Sequence, residues 1–126
     1  MALADNNYDL TTPALALTAA AAGTYNGTPQ LNPNGHTVVL GINTTVDSAG
    51  SYVVNLQAQD VASGVWYTIG STAAIVSAVF QTLTVGSGLA AVANVSVIFP
   101  LPRTWRVQAV VTTGPISATV GACVLI

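Results

Sequence analysis

The alternation of apolar and polar positions is clearest over residues 51–71, SYVVNLQAQDVASGVWYTIGS. One apolar row in the first half consists of Tyr52, Val54, Leu56 and Ala58. A shorter row in the second half consists of Val65, Tyr67 and Ile69. A period of two is expected of a strand with one buried face. The pattern predicts a β-hairpin with both rows facing inward, which places Tyr67 in the core and Trp66 on the outer surface.

The residues between the two arms are suited to a hairpin loop of four or five residues. Asp60 can accept hydrogen bonds from the backbone of the following residues, and Gly64 can adopt a positive φ angle. The loop and the alternation therefore predict the same hairpin.

Other inward rows follow along the chain, with no convincing helix. They comprise Val38, Leu40, Ile42 and Val46; Ala93, Val95, Val97 and Phe99; Trp105, Val107, Ala109 and Val111; and Ile116, Ala118, Val120, Ala122, Val124 and Ile126. Weak alternation over residues 14–19 favours a strand, and the turn-rich segment 23–35 predicts a long loop with a short strand around Tyr25. Residues 73–85 are apolar on both faces and change phase near Phe80, as at a β-bulge or a strand that crosses between sheets.

Seven or eight strands at a spacing of roughly 8 to 12 residues are typical of an all-β sandwich or barrel. We predict a single-domain antiparallel β-sandwich, with jelly-roll and immunoglobulin-like topologies both open. Residues 1–13 are predicted to form an extended N-terminal arm, and residues 14–126 the sandwich domain.

Charge is unusually scarce in this chain of 126 residues. Two arginines and four aspartates are its only charged side chains, 5% of the total, whereas ordinary domains carry about 25%. A monomer of this mass should expose on the order of 6,000 Å², so each charge would serve about 1,000 Å² of surface. Such a surface lacks the charge repulsion that keeps proteins apart. We therefore expect assembly, as a homo-oligomer with a trimer favoured or as part of a lattice.

Composition also argues against several classes of protein. A net charge of −2 with two arginines offers no basic patch for nucleic-acid phosphates. No run of 18 apolar residues predicts a membrane helix. The apolar segment 14–22 follows Asp5 and Asp9 rather than basic residues, which argues against an export signal. A single cysteine, Cys123, excludes an intrachain disulfide and suits synthesis in a reducing cytoplasm.

Residues that could carry chemistry are few and scattered. His36 is the only histidine and is expected at the exposed start of a strand, Cys123 falls on an outward row, and the aspartates lie mostly in the arm and turns. Catalysis would need a nucleophile beside a base, and calcium would need clustered oxygens. We predict no catalytic residue, no metal and no cofactor, and hence no enzyme.

Six residues are interface candidates: Leu3, Tyr8, Leu10, Trp66, Arg103 and Arg106. The first three would order the arm by packing on a partner, although a disordered terminus is the alternative. If Trp66 lies on the outer surface, its ring is expected to pack against a neighbouring loop, a partner or a sugar ring. The arginines can pair with an acidic partner or locally with aspartates.

Three segments together resemble a known group of proteins. The loop D-x-A-S-G-x-W at residues 60–66, L-P-R-T-W-R-V at 101–107 and A-T-V-G-A at 118–122 are similar to capsid decoration, or head cement, proteins of tailed bacteriophages. The resemblance covers about residues 14–126. It implies a compact β-domain, made in the host cytoplasm, that binds the major capsid protein lattice on the virion exterior, often at threefold positions, and stabilises the shell.

Two alternatives belong to other classes. One is a different virion subunit, from a tail tube or a head-completion complex. The other is a lectin-like module that binds carbohydrate through Trp66, Tyr67 or Trp105, although alternation places the last two in the core.

Overall fold

The computed structural model describes residues 7–9, 13–31, 37–47, 49–87 and 91–125, with the backbone alone at 7–9. Several predictions concern Leu3, Leu10, His36, Ile126 and the side chain of Tyr8, which lie outside the described part.

Every regular element in these ranges is a β-strand, which confirms the all-β prediction. The strands are β1 (Asn7–Asp9), β2 (Leu15–Ala20), β3 (Gly23–Asn26), β4 (Gln30–Leu31), β5 (Thr37–Asp47), β6 (Ser51–Gln59), β7 (Trp66–Ser71), β8 (Phe80–Gly86), β9 (Ser96–Ile98), β10 (Thr104–Thr113) and β11 (Ile116–Leu125). The described residues thus form eleven strands, and the predicted count of seven or eight is wrong. Strands β1, β4 and β9 have only two or three residues, too few for a period of two to be recognised.

The strands form two sheets. A six-stranded sheet has the order β1-β11-β5-β8-β9, and β2 also pairs with β11. A five-stranded sheet has the order β3-β10-β6-β7, and β4 also pairs with β10. All of these pairs are antiparallel except β8 with β9. The predicted hairpin is confirmed as the β6–β7 pair.

The apolar rows of both sheets meet in one core. The predicted rows of β6, β10 and β11 are buried over the described residues, and Trp105 is the largest fully buried side chain. Tyr52 and Val54 from the five-stranded sheet belong to the same cluster as Leu40 and Ile42 from the six-stranded sheet. Full burial of an aliphatic or aromatic side chain contributes about 1.5–3 kcal/mol, so this shared core holds the two sheets together.

The chain changes sheet between β7 and β8. The predicted strand 73–85 is shorter than expected, because residues 72–79 form the connection and β8 begins at Phe80. Ile75 makes an isolated bridge to Tyr52 on the way across. The phase change near Phe80 therefore marks a passage between sheets.

Three predicted inward rows contain errors. On β5 the register shifts opposite Ser117 and Ala118, which reverses the alternation and leaves Val46 47% exposed. On β7 Tyr67 lies opposite buried Ala58. Because β7 is an edge strand, however, the core does not reach its hairpin end.

Val65 and Tyr67 are consequently 59% and 46% exposed, so the prediction of a buried Tyr67 is wrong. Residues 93–95 form a turn rather than a strand, because Val92 bridges to Ser96. Val95 and Phe99 are therefore exposed, and only Val97 of that row packs on the core.

Candidate interface on the outer face of the five-stranded sheet

The outer face of the five-stranded sheet carries a row of amide and hydroxyl side chains. Since the inward rows of β6 and β10 are apolar, the intervening residues point outward. The members of this set, here called the amide face, are Asn26, Asn55, Gln57, Gln59, Trp66, Thr68, Ser71, Arg106 and Gln108. Cross-strand register brings them together, with Gln108 opposite both Asn26 and Asn55.

Gln108 joins three strands at the centre of the amide face. Its Nε2 donates to Asn26 Oδ1 at 2.9 Å. Its Oε1 accepts from Asn55 Nδ2 at 3.2 Å and from Gln57 Nε2 at 3.2 Å. The single amide of Gln108 thus uses both its donor and its acceptor groups within the sheet.

The network continues to the edge strand β7. Ser71 Oγ donates to Asn55 Oδ1 at 2.7 Å, and Gln57 Nε2 donates to Thr68 Oγ1 at 3.3 Å. Gln57 is only 7% exposed despite its outward direction. A network whose members satisfy one another holds its side chains in place, so the side chains of the face are ordered across four strands.

Arg106 connects this network to Trp66. Its Nε donates to Gln57 Oε1 at 2.9 Å, and its Cζ lies 4.3 Å from the centroid of the Trp66 ring. Arg106 lies opposite Gln57, and Trp66 lies opposite Gln59, so the guanidinium reaches across β6 to β7. Partial desolvation lowers the pKa of Arg106, but arginine remains a cation at neutral pH. The arrangement is a cation–π contact fixed by a hydrogen bond.

The two arginines differ in their exposure to solvent. Trp66 and Arg106 are both half-buried and in contact, whereas Arg103 is exposed in the turn before β10. The recorded partners of Arg106 among the described side chains are Gln57 and Trp66, not an aspartate. Of the residues predicted to act at an interface, these two form a defined cluster.

Sequence reasoning did not single out Gln57 and Gln108, which organise the face. The sequence does show amide residues at these two positions, which alternation places on the outward side of two predicted strands. Periodicity reports that such residues point outward, but it does not report that β6 and β10 are neighbours.

The hairpin loop has the predicted chemistry. Asp60 Oδ2 accepts from Ser63 Oγ at 2.5 Å and from Ser63 N at 3.3 Å, and these hydrogen bonds lower the pKa of Asp60. Gly64 adopts a φ of +75° and donates its N–H to Asp60 O at 2.7 Å. The loop exposes the apolar side chain of Val61 at 88%.

The outer face of the six-stranded sheet is different in character. Gly41 and Gly121 lie opposite each other on β5 and β11. They form the floor of an open depression of about 340 Å³ lined by Val39, Gly41, Phe80, Thr82, Gly121, Ala122 and Cys123. Cys123 is half-buried on this outer face, where its outward position was predicted. The depression has an apolar lining without a charged side chain.

A third polar cluster lies at the β5–β6 turn. Asp47 Oδ1 accepts from Gly50 N at 2.6 Å, as expected of an aspartate in a turn. The Tyr52 hydroxyl is hydrogen-bonded to Thr44 Oγ1, and burial raises the pKa of Tyr52. These contacts fix the turn between the sheets.

The described residues contain no group of three or more metal-ligating side chains. They also contain no helix long and apolar enough to cross a membrane. No family model matches the chain, and neither a curated protein nor a solved structure matches it.

Proposed function

We propose that the chain is a non-enzymatic structural protein of a tailed bacteriophage that binds the outer surface of the capsid shell and stabilises it. In this proposal it is made in the host cytoplasm, folds as a β-sandwich with jelly-roll or immunoglobulin-like connections, and engages the major capsid protein as a homo-oligomer, with a trimer favoured. Residues 1–13 serve as an arm of the 14–126 domain.

The observation that carries the proposal is the amide face. A hydrogen-bonded and nearly uncharged surface, whose one cation is Arg106, suits contact with a neighbouring protein surface. Ordered side chains lose little conformational entropy on binding, and Trp and Arg are the residues most enriched among energetically dominant interface positions. A repeating lattice multiplies such contacts, so modest affinity at each site adds up to strong attachment.

The scarcity of charge agrees with the same proposal. The molecule exposes 6342 Å² for six charged side chains. Charge repulsion therefore contributes little to keeping copies and partners apart. Other virion subunits, from a tail tube or a head-completion complex, share this property; rings or tubes formed by the isolated protein would favour them over decoration.

A carbohydrate-binding module remains the candidate from a different class. The exposure of Tyr67 favours it, because an exposed aromatic ring can stack on a sugar. Trp105 is fully buried and cannot serve, and Arg106 lies over the Trp66 ring. Binding on a glycan array that is lost in Tyr67→Ala would support a lectin and contradict decoration as the main function.

The decisive experiment uses purified protein and undecorated shells assembled from the major capsid protein of the same genome. Sedimentation of shells with increasing protein should show saturable binding, and bound shells should withstand a higher temperature before they rupture. Absence of saturable binding, together with no change in heat resistance, would contradict the proposal.

A further inference from the structure

We propose that Arg106, held by Gln57 and Trp66, is a receptor for a carboxylate, and that its occupant is an acidic side chain on the outer surface of the capsid shell. The inference rests on the proposed function and names the chemistry by which the amide face recognises its partner.

The first step is that the guanidinium is fixed before any partner arrives. The Nε–H of Arg106 is used by Gln57 at 2.9 Å, and one side of its plane lies on the Trp66 ring at 4.3 Å. Gln57 is itself held by Thr68 and Gln108. A side chain held on two sides loses less freedom when it binds a ligand.

The second step is that the described residues use only a small part of its hydrogen-bonding capacity. A guanidinium has five N–H donors, and Nε supplies the only recorded hydrogen bond from Arg106 to a described residue. The four N–H groups on Nη1 and Nη2 form the planar fork that matches the two oxygens of a carboxylate. Free donors in this geometry favour a bidentate acid over a neutral acceptor.

The third step is that the recorded partners of the Arg106 side chain among the described residues, Gln57 and Trp66, are both uncharged. Burial lowers the pKa of Arg106, but arginine remains a cation at neutral pH. The nearest aspartate in the hairpin, Asp60, directs its carboxylate to Ser63. A lone cation on an otherwise uncharged face attracts an anionic group of a partner, and the attraction specifies orientation as well as affinity.

The surroundings point to a protein partner. The hairpin loop that leads into Trp66 exposes an apolar residue, Val61, at 88%, and interface centres combine an anchor with surroundings that exclude water. An acidic side chain on a folded protein surface can bind the guanidinium while its neighbours contact the exposed apolar residue. A free carboxylic acid can bind only the guanidinium.

The test compares the two arginines, which carry the same charge in different settings. Shell binding is measured for the wild type, Arg106→Gln, Arg106→Lys and the matched control Arg103→Gln, with melting temperatures to confirm folding. We expect Arg106→Gln to weaken binding at least about tenfold and Arg103→Gln to change it less than about threefold. Arg106→Lys should stay closer to Arg106→Gln, because an ammonium keeps the charge and loses the fork.

Equal binding by Arg106→Gln and the wild type would overturn the inference and leave the proposed function standing. Equal losses in the two glutamine variants would also overturn it, because they would show a general effect of net charge. If Arg106→Gln does not fold, Arg106→Lys against Arg103→Lys makes the same comparison.

A second measurement separates the inference from the proposed function if wild-type protein does not bind shells. Sodium acetate, with sodium chloride at equal ionic strength as control, is titrated into the isotope-labelled protein. A saturable shift of the Arg106 Nε–Hε and Trp66 indole signals with acetate alone supports a carboxylate site. Shifts of equal size with chloride, or at Arg103, would overturn it.

Discussion

The two outer faces of the molecule are built on the same kind of sheet and differ in what their side chains do. On the five-stranded sheet, outward residues such as Gln57 and Gln108 bond to one another and fix Arg106 over Trp66. On the six-stranded sheet, the opposed Gly41 and Gly121 carry no side chain beyond a hydrogen atom and form the floor of an open depression. An uncharged surface can thus consist of polar side chains that hold one another in place, or of small residues such as glycine. We assign binding to the ordered one.

The largest expected effect on stability comes from the centre of the amide face. Gln57→Ala removes hydrogen bonds to Thr68, Gln108 and Arg106. We expect a loss of about 1–3 kcal/mol, because partners are left unsatisfied in a half-buried setting. Urea unfolding measures it. The matched change on the other face, Thr82→Ala at an exposed site, should stay within about 0.5 kcal/mol; equal losses would erase the distinction between the faces.

The next effect concerns Trp66. Trp66→Ala removes the ring under the Arg106 guanidinium, a contact worth about 0.5–1 kcal/mol when partly exposed. We expect shell binding to fall by about tenfold, equivalent to 1.4 kcal/mol, and thus by more than the stability does. Tyr67→Ala serves as control, since Tyr67 is exposed on the opposite side of the same strand. A larger loss in folding than in binding would show that Trp66 acts mainly as a packing residue.

A smaller effect sharpens the description of the depression. A Cβ at Gly121 would meet nothing within 4 Å, whereas one at Gly41 would lie 3.2 Å from the Phe80 ring. Replacing glycine within a strand reduces the entropy of the unfolded chain. Gly121→Ala should therefore raise stability by about 0.5 kcal/mol, and Gly41→Ala should raise it less. Thermal unfolding of the pair tests this, and the reverse order would contradict the geometry of the floor.

The smallest effect is in the hairpin loop. Because the hydrogen bonds from Ser63 lower the pKa of Asp60, the stabilisation they give is fully present above its ordinary pKa of 3.8. It is lost as the pH falls through the lowered value in the folded state. The stability advantage of the wild type over Asp60→Asn should thus shrink below about pH 4. Urea unfolding at pH 6 and pH 3 measures the change, and a constant difference would exclude this role.

Much of the fold could be predicted from sequence where a strand is long and has one apolar side. The inward rows at Tyr52 and at Trp105 were correct because burial alone imposes a period of two. The prediction for Val46 was wrong because a bulge in β5 reverses the alternation there. The prediction for Tyr67 was wrong because this residue lies at the hairpin end of an edge strand, which the core does not reach. Those features depend on which strands are neighbours, and alternation within one strand carries no information about that.

The candidate site was only partly predictable for the same reason. Trp66 and Arg106 were identifiable from the sequence as unusual residues on a chain with few charged side chains. Their contact depends on β6 lying between β7 and β10, and so does the role of Gln57. Shell binding, oligomeric state and phage origin are proposals that rest on composition, resemblance and this surface.

The most direct test of the assignment of binding to the amide face is oxidative footprinting of the protein with and without undecorated shells. Hydroxyl radicals report on Trp66 for the amide face and on Phe80 and Cys123 for the opposite face. We predict that shells protect Trp66 from oxidation and leave Phe80 and Cys123 unchanged. Protection of Phe80 and Cys123 with Trp66 unchanged would contradict the account.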